Sequence, residues 1–419
     1  MSEQKNDLGQ EILKEINQDE TTTERVRKPF LGKAAIPLLA IVTGLIIGAL
    51  MIAVTSQSVY AAFGESIGKG FATAFSEIGT AYKALFTGAI GDPIRMINAV
   101  KLGDAREIRQ AFNPFLESLV QSTPYIFAGL AVALGFKSGL FNIGVEGQLF
   151  IGAACATFVG YSITGLPAYI HMPLAFLAGA LGGALWGFVP GFLKAKTGGH
   201  EVINTIMMNF IAIALVDVLV KGPLCDPAST IPRTANVAET ARLPLLAPNT
   251  RLHAGFLLAL LCAIGVWLLL TRLPLGFEIR AVGANPDAAQ QAGIRVRRSY
   301  VLALGMSGAI AGLAGAGEVL GLNGNLPAAF SSGYGFDGIA VALLARANPI
   351  AVIPAALLWG ALRNGAGLMQ LRSGISVDLI NIIQALVIMF VAADAIVRWL
   401  YRIKGESSDL VTLRGWGAQ

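Results

Sequence analysis

Residues 34–54 read Ala34-Ala-Ile-Pro-Leu-Leu-Ala-Ile-Val-Thr-Gly-Leu-Ile-Ile-Gly-Ala-Leu-Met-Ile-Ala-Val54, without a single charge. A helix needs about 20 apolar residues to cross a bilayer, at a rise of about 1.5 Å each. This stretch reaches that length, so the chain is read as a membrane protein. Composition agrees. Of the 419 residues, 54% are hydrophobic and 14% charged, where soluble domains carry about 25% charged residues. An ordinary water-soluble enzyme is excluded on that ground. The net charge of +5 does not mark a nucleic-acid binder. The basic residues fall in short stretches between apolar runs rather than on one solvated face, which is the pattern of membrane topology.

Outward from this segment, apolar runs predict further spans near 114–134, 141–163, 172–193, 202–220, 254–271, 301–321 and 379–400. The stretch 337–366 is apolar but interrupted by Ala345-Arg346-Ala347-Asn348-Pro349. It reads either as two short spans or as a re-entrant hairpin. With two, the protein is an all-α integral membrane protein of about ten transmembrane helices. Residues 1–33 form a polar tail with six basic and seven acidic residues. That charged lead is too long for a cleavable signal peptide. Arg25, Arg27, Lys28 and Lys33 precede the first span and place the N-terminus in the cytosol. An even span count then puts loop 272–300, with Arg272, Arg280, Arg295, Arg297 and Arg298, on the same side. The transmembrane domain is expected over 34–404, and a cytosolic tail over 405–419. Loops 55–113 and 221–253 fall outside, with an amphipathic stretch at Phe71–Phe86 on the outer surface.

Small residues recur with helical spacing. Gly179, Gly183, Gly187 and Gly191 form one ridge, and Gly308 and Gly312 another. Such ridges let membrane helices approach closely. Cys155, Cys225 and Cys262 show no metal-ligand spacing and read as packing residues.

Catalytic motifs are incomplete throughout. Gly64-Glu-Ser-Ile-Gly68-Lys69-Gly70 has the wrong glycine spacing for a phosphate loop. His200-Glu201 opens like a zinc-protease motif, but position 204 is Asn. His171, His200 and His253 lie near span ends, as interfacial side chains do. No metal site, no cofactor and no catalytic residue is expected. If ATP drives this protein, a partner subunit uses it.

Two segments carry more information. In Phe136–Ala153, Asn142, Glu146 and Gln148 stand among glycines at the start of a span. Ionisable groups at membrane depth face protein or water, and broken helices there line substrate paths. Glu146 is read either as pathway lining or as an acceptor tying helices together. The second segment is Leu275–Ile294. Asn285 suits an N-cap, Pro286 the first helical position, Asp287 the positive helix end and Gly293 the residue past the C-terminus. A two-turn helix over 286–292 is predicted, too short to be stable unless docked.

These segments resemble the permease subunits of bacterial ABC importers in the ribose, branched-chain amino acid and nucleoside group. The likeness runs over roughly 114–400. Gly283, Asn285, Pro286, Ala288, Ala289, Ala292, Gly293 and Ile294 are similar to that group's coupling-helix region, which seats in a cleft of the ATPase. Phe141-Asn-Ile-Gly-Val-Glu-Gly-Gln148, Gly199-His-Glu-Val-Ile-Asn-Thr205 and Ala84–Gly91 resemble the nucleoside branch in particular. The resemblance implies a type II importer-like bundle with both termini cytosolic, and an internal repeat in which spans two to five are echoed by seven to ten. It implies nucleosides as cargo, with a simple sugar or other small polar solute as the alternative. Implied partners are two ATPase subunits, a second, different permease, and an extracytoplasmic substrate-binding lipoprotein. Coupling falls to Gly283, Asn285, Pro286, Asp287, Ala288, Ala289, Ala292 and Gly293. The expected pathway residues are Asn142, Glu146, Gln148, Asn204, Asn209, Glu318, Asn323 and Asn325, with Phe141 and Phe336 as rings on which a base stacks. The competing reading is an ion-coupled carrier using Glu146, Asp217, Glu318, Asp337, Asp378 and Asp394. An intramembrane enzyme lacks any nucleophile–base set.

Overall fold

The computed structural model describes residues 30–328 and 330–402. Most of the polar N-terminal tail and the tail at 405–419 lie outside them. The described chain is helical, with only isolated bridges between extended residues. Helix α1 is Phe30–Thr55, α2 Gln57–Glu65, α3 Ile67–Ile90, α4 Pro93–Leu102 and α5 Ala105–Lys137. Then follow α6 (Val145–Ser162), α7 (Ala168–Thr197), α8 (Glu201–Lys221) and α9 (Gly255–Arg272). Helices α10 (Pro274–Ala284) and α11 (Pro286–Gln291) lead to α12 (Val296–Gly317), which runs on as a π-helical turn over Glu318–Asn323. The last four are α13 (Tyr334–Leu344), α14 (Pro349–Ser373), α15 (Asp378–Ala392) and α16 (Asp394–Leu400).

Among the described residues, seven helices are long and apolar enough to cross a membrane. These are α1, α5, α7, α8, α9, α12 with its π turn, and α14. The remaining expected spans correspond to α6, α13 and α15. Helix α6 starts at Val145 rather than 141 and has Glu146 and Gln148 in its first turn. Helices α13 and α15 are shorter apolar helices. Between α13 and α14 the chain breaks where the Arg346-Ala347-Asn348-Pro349 run required it. Asn348 caps α14 by accepting from Ile350 and Ala351 N–H, and Pro349 takes the first helical position.

Helix α5 is the axis of the bundle. Tyr125 to Leu134 are all buried, and α9, α12, α13 and α14 pack around it. The glycine ridges meet as their spacing suggested. A Cβ on Gly183 would overlap the carbonyl of Gly308, and one on Gly312 the carbonyl of Gly179. Gly152 of α6 packs on Gly312 as well. Helices α6, α7 and α12 therefore touch backbone to backbone, where dispersion contacts are dense without bulky side chains.

The stretch around Phe71–Phe86 is not merely a surface segment. In α3, Ala81, Ala84 and Leu85 are buried in a second core with Leu362, Ala366 and Met369 of α14 and Ile380 and Ile383 of α15. Asn364 of α14 donates to the carbonyls of Gly88 (3.0 Å) and Pro114 (2.8 Å), binding α3, α5 and α14 together. The loop after α8 is held by bridges between Cys225 and Thr234, Arg233 and Pro327, and Leu245 and His253. His171 anchors it, with Nδ1 2.8 Å from Thr240 Oγ1 and Nε2 3.1 Å from the Val159 carbonyl.

Candidate functional site

Two helices begin inside the bundle, and the polar residues gather at their starts. After α5 the chain turns at Ser138-Gly139, with Gly139 in the left-handed region at φ +74°. It then climbs back to Val145. Asn142 is buried on this climb. Its Nδ2 donates to Gln148 Oε1 (2.9 Å) and Ser307 Oγ (2.7 Å), and Ser307 donates on to the Ala131 carbonyl (2.6 Å). Asn142 Oδ1 accepts from Gly144 N–H (3.0 Å) and Gln148 Nε2 (3.2 Å). Asn209 of α8 completes the arrangement. It accepts from Gly147 N–H (2.8 Å) and donates to the Ile143 carbonyl (2.7 Å). The first turn of α6 leaves backbone donors without intrahelical partners, and a side chain from another helix satisfies one of them. Asn142, Gln148 and Asn209 thus bind α5, α6, α8 and α12 into one hydrogen-bonded unit, as buried polar groups must be bound.

Helix α13 starts in the same manner. Its N-cap is Gly333, which has no side chain to offer. Glu146 of α6 supplies the acceptor instead. Its carboxylate accepts from Ser331 Oγ (2.5 Å) and Gly335 N–H (2.5 Å). An anion at a helix N-terminus meets both the unpaired N–H groups and the positive end of the dipole. Gly335 is required by this contact, because a Cβ there would overlap the Glu146 backbone. Of the two readings of Glu146, hydrogen-bonded tie is what the geometry displays.

Beyond Gly335 the surface opens. Phe336 is 46% exposed. Asp337 accepts from the Tyr125 hydroxyl at 3.2 Å and faces Arg363 of α14 at 4.0 Å. Tyr125 and Tyr334 pack edge to face, centroids 5.3 Å apart. Arg363, Tyr125, Tyr334 and Ser331 were not singled out from sequence. The available signal was a lone arginine inside an apolar run.

The remaining expected pathway residues are dispersed. Glu318 is buried where α12 passes into its π turn. Asn323 ends that turn and Asn325 lies past it, donating to Asn236 at 3.1 Å. Phe141 and Asn204 lie toward the opposite end, near α11. Phe141 packs on Phe136, centroids 4.7 Å apart, and half-buried Asn204 stands in the first turn of α8. Beside the Asn323 end, the His253 ring covers Gly321 and Gly255. Burial, assisted by Arg251, lowers its pKa to about 4. Nδ1 accepts from Gly255 N–H (3.2 Å), which fixes the neutral ring with its proton on Nε2.

The short helix of loop 272–300 forms as α11. Asn285 Oδ1 accepts from Asp287 N–H (3.0 Å) and Ala288 N–H (3.1 Å). Gly293, at φ +84°, closes the other end, and Ile294 N–H donates to the Ala289 carbonyl (3.0 Å). Ala289 alone of this helix is buried; Asn285, Pro286, Asp287, Ala288, Ala292 and Gly293 are exposed. A second helix, α10, precedes it and was not expected. At its end Gly283 lies on the α5–α6 turn, where a Cβ would overlap the Lys137 carbonyl. Helix α11 is therefore an exposed knob that follows directly on α10, whose Gly283 is seated on the turn that leads to Asn142 and Glu146. Among the described residues no group of three or more His, Cys, Asp or Glu is placed to hold a metal ion.

Residues 115–392 match the family described as branched-chain amino acid transport system / permease component. The chain is 40% identical to the guanosine ABC transporter permease protein NupP of Bacillus subtilis, over 88% of this chain and 96% of that one. It is 33% identical to the nucleoside ABC transporter permease protein NupB of Lactococcus lactis, over 87% and 92%. It is 39% identical to the glucose ABC transporter permease protein TsgB13 of Haloferax volcanii, over 65% and 74%. No solved structure matches.

Proposed function

The chain belongs to the family of permease components of branched-chain amino acid transport systems, and from that premise we propose that it is the membrane-spanning subunit of an ATP-binding cassette importer for nucleosides. It is a multi-pass membrane protein and a transport subunit, not an enzyme. The observation that carries the nucleoside reading is likeness over nearly the whole length to two permeases named for guanosine and nucleosides.

We infer ten membrane crossings, counting α6, α13 and α15 with the seven long helices, and both termini in the cytosol. The basic residues around α10 and α11 support that orientation. The domain limits at 34–404, with outer loops 55–113 and 221–253 and the cytosolic loop 272–300, follow from it. ATPase subunits, two of them, dock on α11. Gly283, Asn285, Pro286, Asp287, Ala288, Ala289, Ala292 and Gly293 make that contact or hold its shape. A second, different permease completes the pathway, and an extracytoplasmic binding lipoprotein delivers the solute. ATP belongs to the partner, and this chain holds no cofactor.

The solute passes along the starts of the two broken helices. Glu318, Phe336, Asn323 and Asn325 lie along its way in from the external mouth, and Phe141 and Asn204 near the cytosolic one. Asn142, Glu146, Gln148 and Asn209 act on the path through the backbone they fix. No bond is made or broken in this chain. Closure of the ATPases moves α11, and Gly283 passes that motion to the α5–α6 turn.

The likeness to a glucose permease keeps a simple sugar as the second reading of the cargo. Cells carrying the complete transporter are given labelled guanosine, uridine and glucose in turn. Uptake of the nucleosides, lost when this gene is deleted, is the expected result. Uptake of glucose alone would transfer the assignment to the sugar.

A further inference from the structure

A partly exposed ion pair between two apolar helices calls for an explanation. Arg363 lies midway along α14, and Asp337 in the first turn of α13. Their side chains keep 31% and 27% of their surface. Exposure to lipid is expensive for either charge, so such residues face water or protein inside the membrane. The pair is also loose. Its closest atoms are 4.0 Å apart, beyond the reach of a charge-assisted hydrogen bond. Asp337 also accepts from the Tyr125 hydroxyl through the oxygen that faces Arg363, and its other oxygen leaves it acceptor capacity; the guanidinium is donor only, the carboxylate acceptor only. The ring of Phe336 stands exposed next in sequence to Asp337.

We propose that Asp337, Arg363 and Phe336 form a specificity-determining contact for the passing base, and that it favours 6-oxopurine nucleosides. The inference rests on the nucleoside reading above and deepens it. A flat base stacks on the phenyl ring, as bases do on aromatic side chains elsewhere. Guanine and hypoxanthine present two neighbouring acceptors, O6 and N7, which match a guanidinium bidentately. Beside O6 they present the N1–H donor, which a carboxylate accepts. Adenine has an amino donor in place of O6. That donor meets the donor-only guanidinium and breaks the bidentate contact. Pyrimidines have no N7. A sugar without a base offers no flat donor–acceptor edge at all.

The test uses the complete transporter in proteoliposomes, with binding protein preloaded separately with guanosine, inosine or adenosine. Initial transport rates are compared for the unaltered protein and for Asp337→Asn, with ATPase activity as a control for assembly. The unaltered transporter is expected to carry guanosine and inosine faster than adenosine. In Asp337→Asn that ratio should fall about tenfold, because an amide both donates and accepts and suits adenine. Arg363→Gln should lower the ratio likewise, and serves if the first variant fails to assemble. An unchanged ratio in an assembled variant, or a preference for adenosine in the unaltered protein, overturns the proposal. Transport of no nucleoside at all, with glucose carried, overturns instead the reading on which it rests.

Discussion

Glu146 separates two accounts of the protein most sharply at the level of a single side chain. In an ion-coupled carrier it would be a proton or sodium site. In the structure it is the acceptor that α13 lacks at Gly333, with Ser331 and Gly335 both 2.5 Å away. The expected outcome of Glu146→Gln is near-normal ATP-driven uptake, since the amide oxygen still accepts from Gly335 N–H while Ser331 Oγ keeps its bonds from Gly333 and Tyr334 N–H. Glu146→Ala leaves Gly335 N–H buried without a partner, a loss of about 1–3 kcal/mol, to be read as a lowered unfolding midpoint in detergent. Abolished uptake in Glu146→Gln, with assembly intact, would restore the proton reading. Sequence marked Glu146 as important because charge at membrane depth is expensive. It left the role open because Ser331 and Gly335 lie 185 and 189 residues away along the chain. Asp337 and Arg363 escaped as a pair for a similar reason. They stand on different helices, and nothing local announces that they face one another.

Helices and their contacts were the more legible level. The four-residue period of Gly179, Gly183, Gly187 and Gly191 names the face of α7 that packs on α12, and Asn285-Pro286 with Gly293 frames α11 closely. Both are local signals: a helical period, a cap, a left-handed terminus. Helix α10 was missed because its apolar residues continue from α9 with only Leu273 between, and Pro274 at its start reads equally as a loop residue. The insertion of α3 was missed because an amphipathic helix lacks any mark in sequence of which apolar partner it meets. The ridge itself is testable. In Gly183→Leu the side chain has no room against the Gly308 carbonyl. Overpacking of this kind destabilises by about 1–3 kcal/mol. The variant should unfold at lower temperature or reach the membrane in reduced amount, whereas Gly265→Leu should behave normally, because a Cβ there meets nothing within 4 Å. Equal behaviour of the two would mean that the α7–α12 contact is looser than the structure shows.

At the scale of the whole molecule, a path of contacts joins an exposed helix to the broken starts of α6 and α13. Helix α11 follows directly on α10, which rests through Gly283 on the α5–α6 turn. That turn continues into Asn142, bonded to Gln148 and Ser307, and then into Glu146, bonded to the start of α13. Two helices that begin in mid-bundle, each capped by a side chain from elsewhere, have discrete starts that can shift together as units. The most direct test replaces Asn285-Pro286-Asp287 with three glycines, which removes the cap and the helix start while leaving the spans intact. Uptake of labelled nucleoside is then measured in cells carrying the complete transporter, alongside the amount of protein in the membrane. The account predicts that uptake is lost while the protein still reaches the membrane and assembles. Uptake that persists in the variant, and collapses instead with an ionophore, would contradict it.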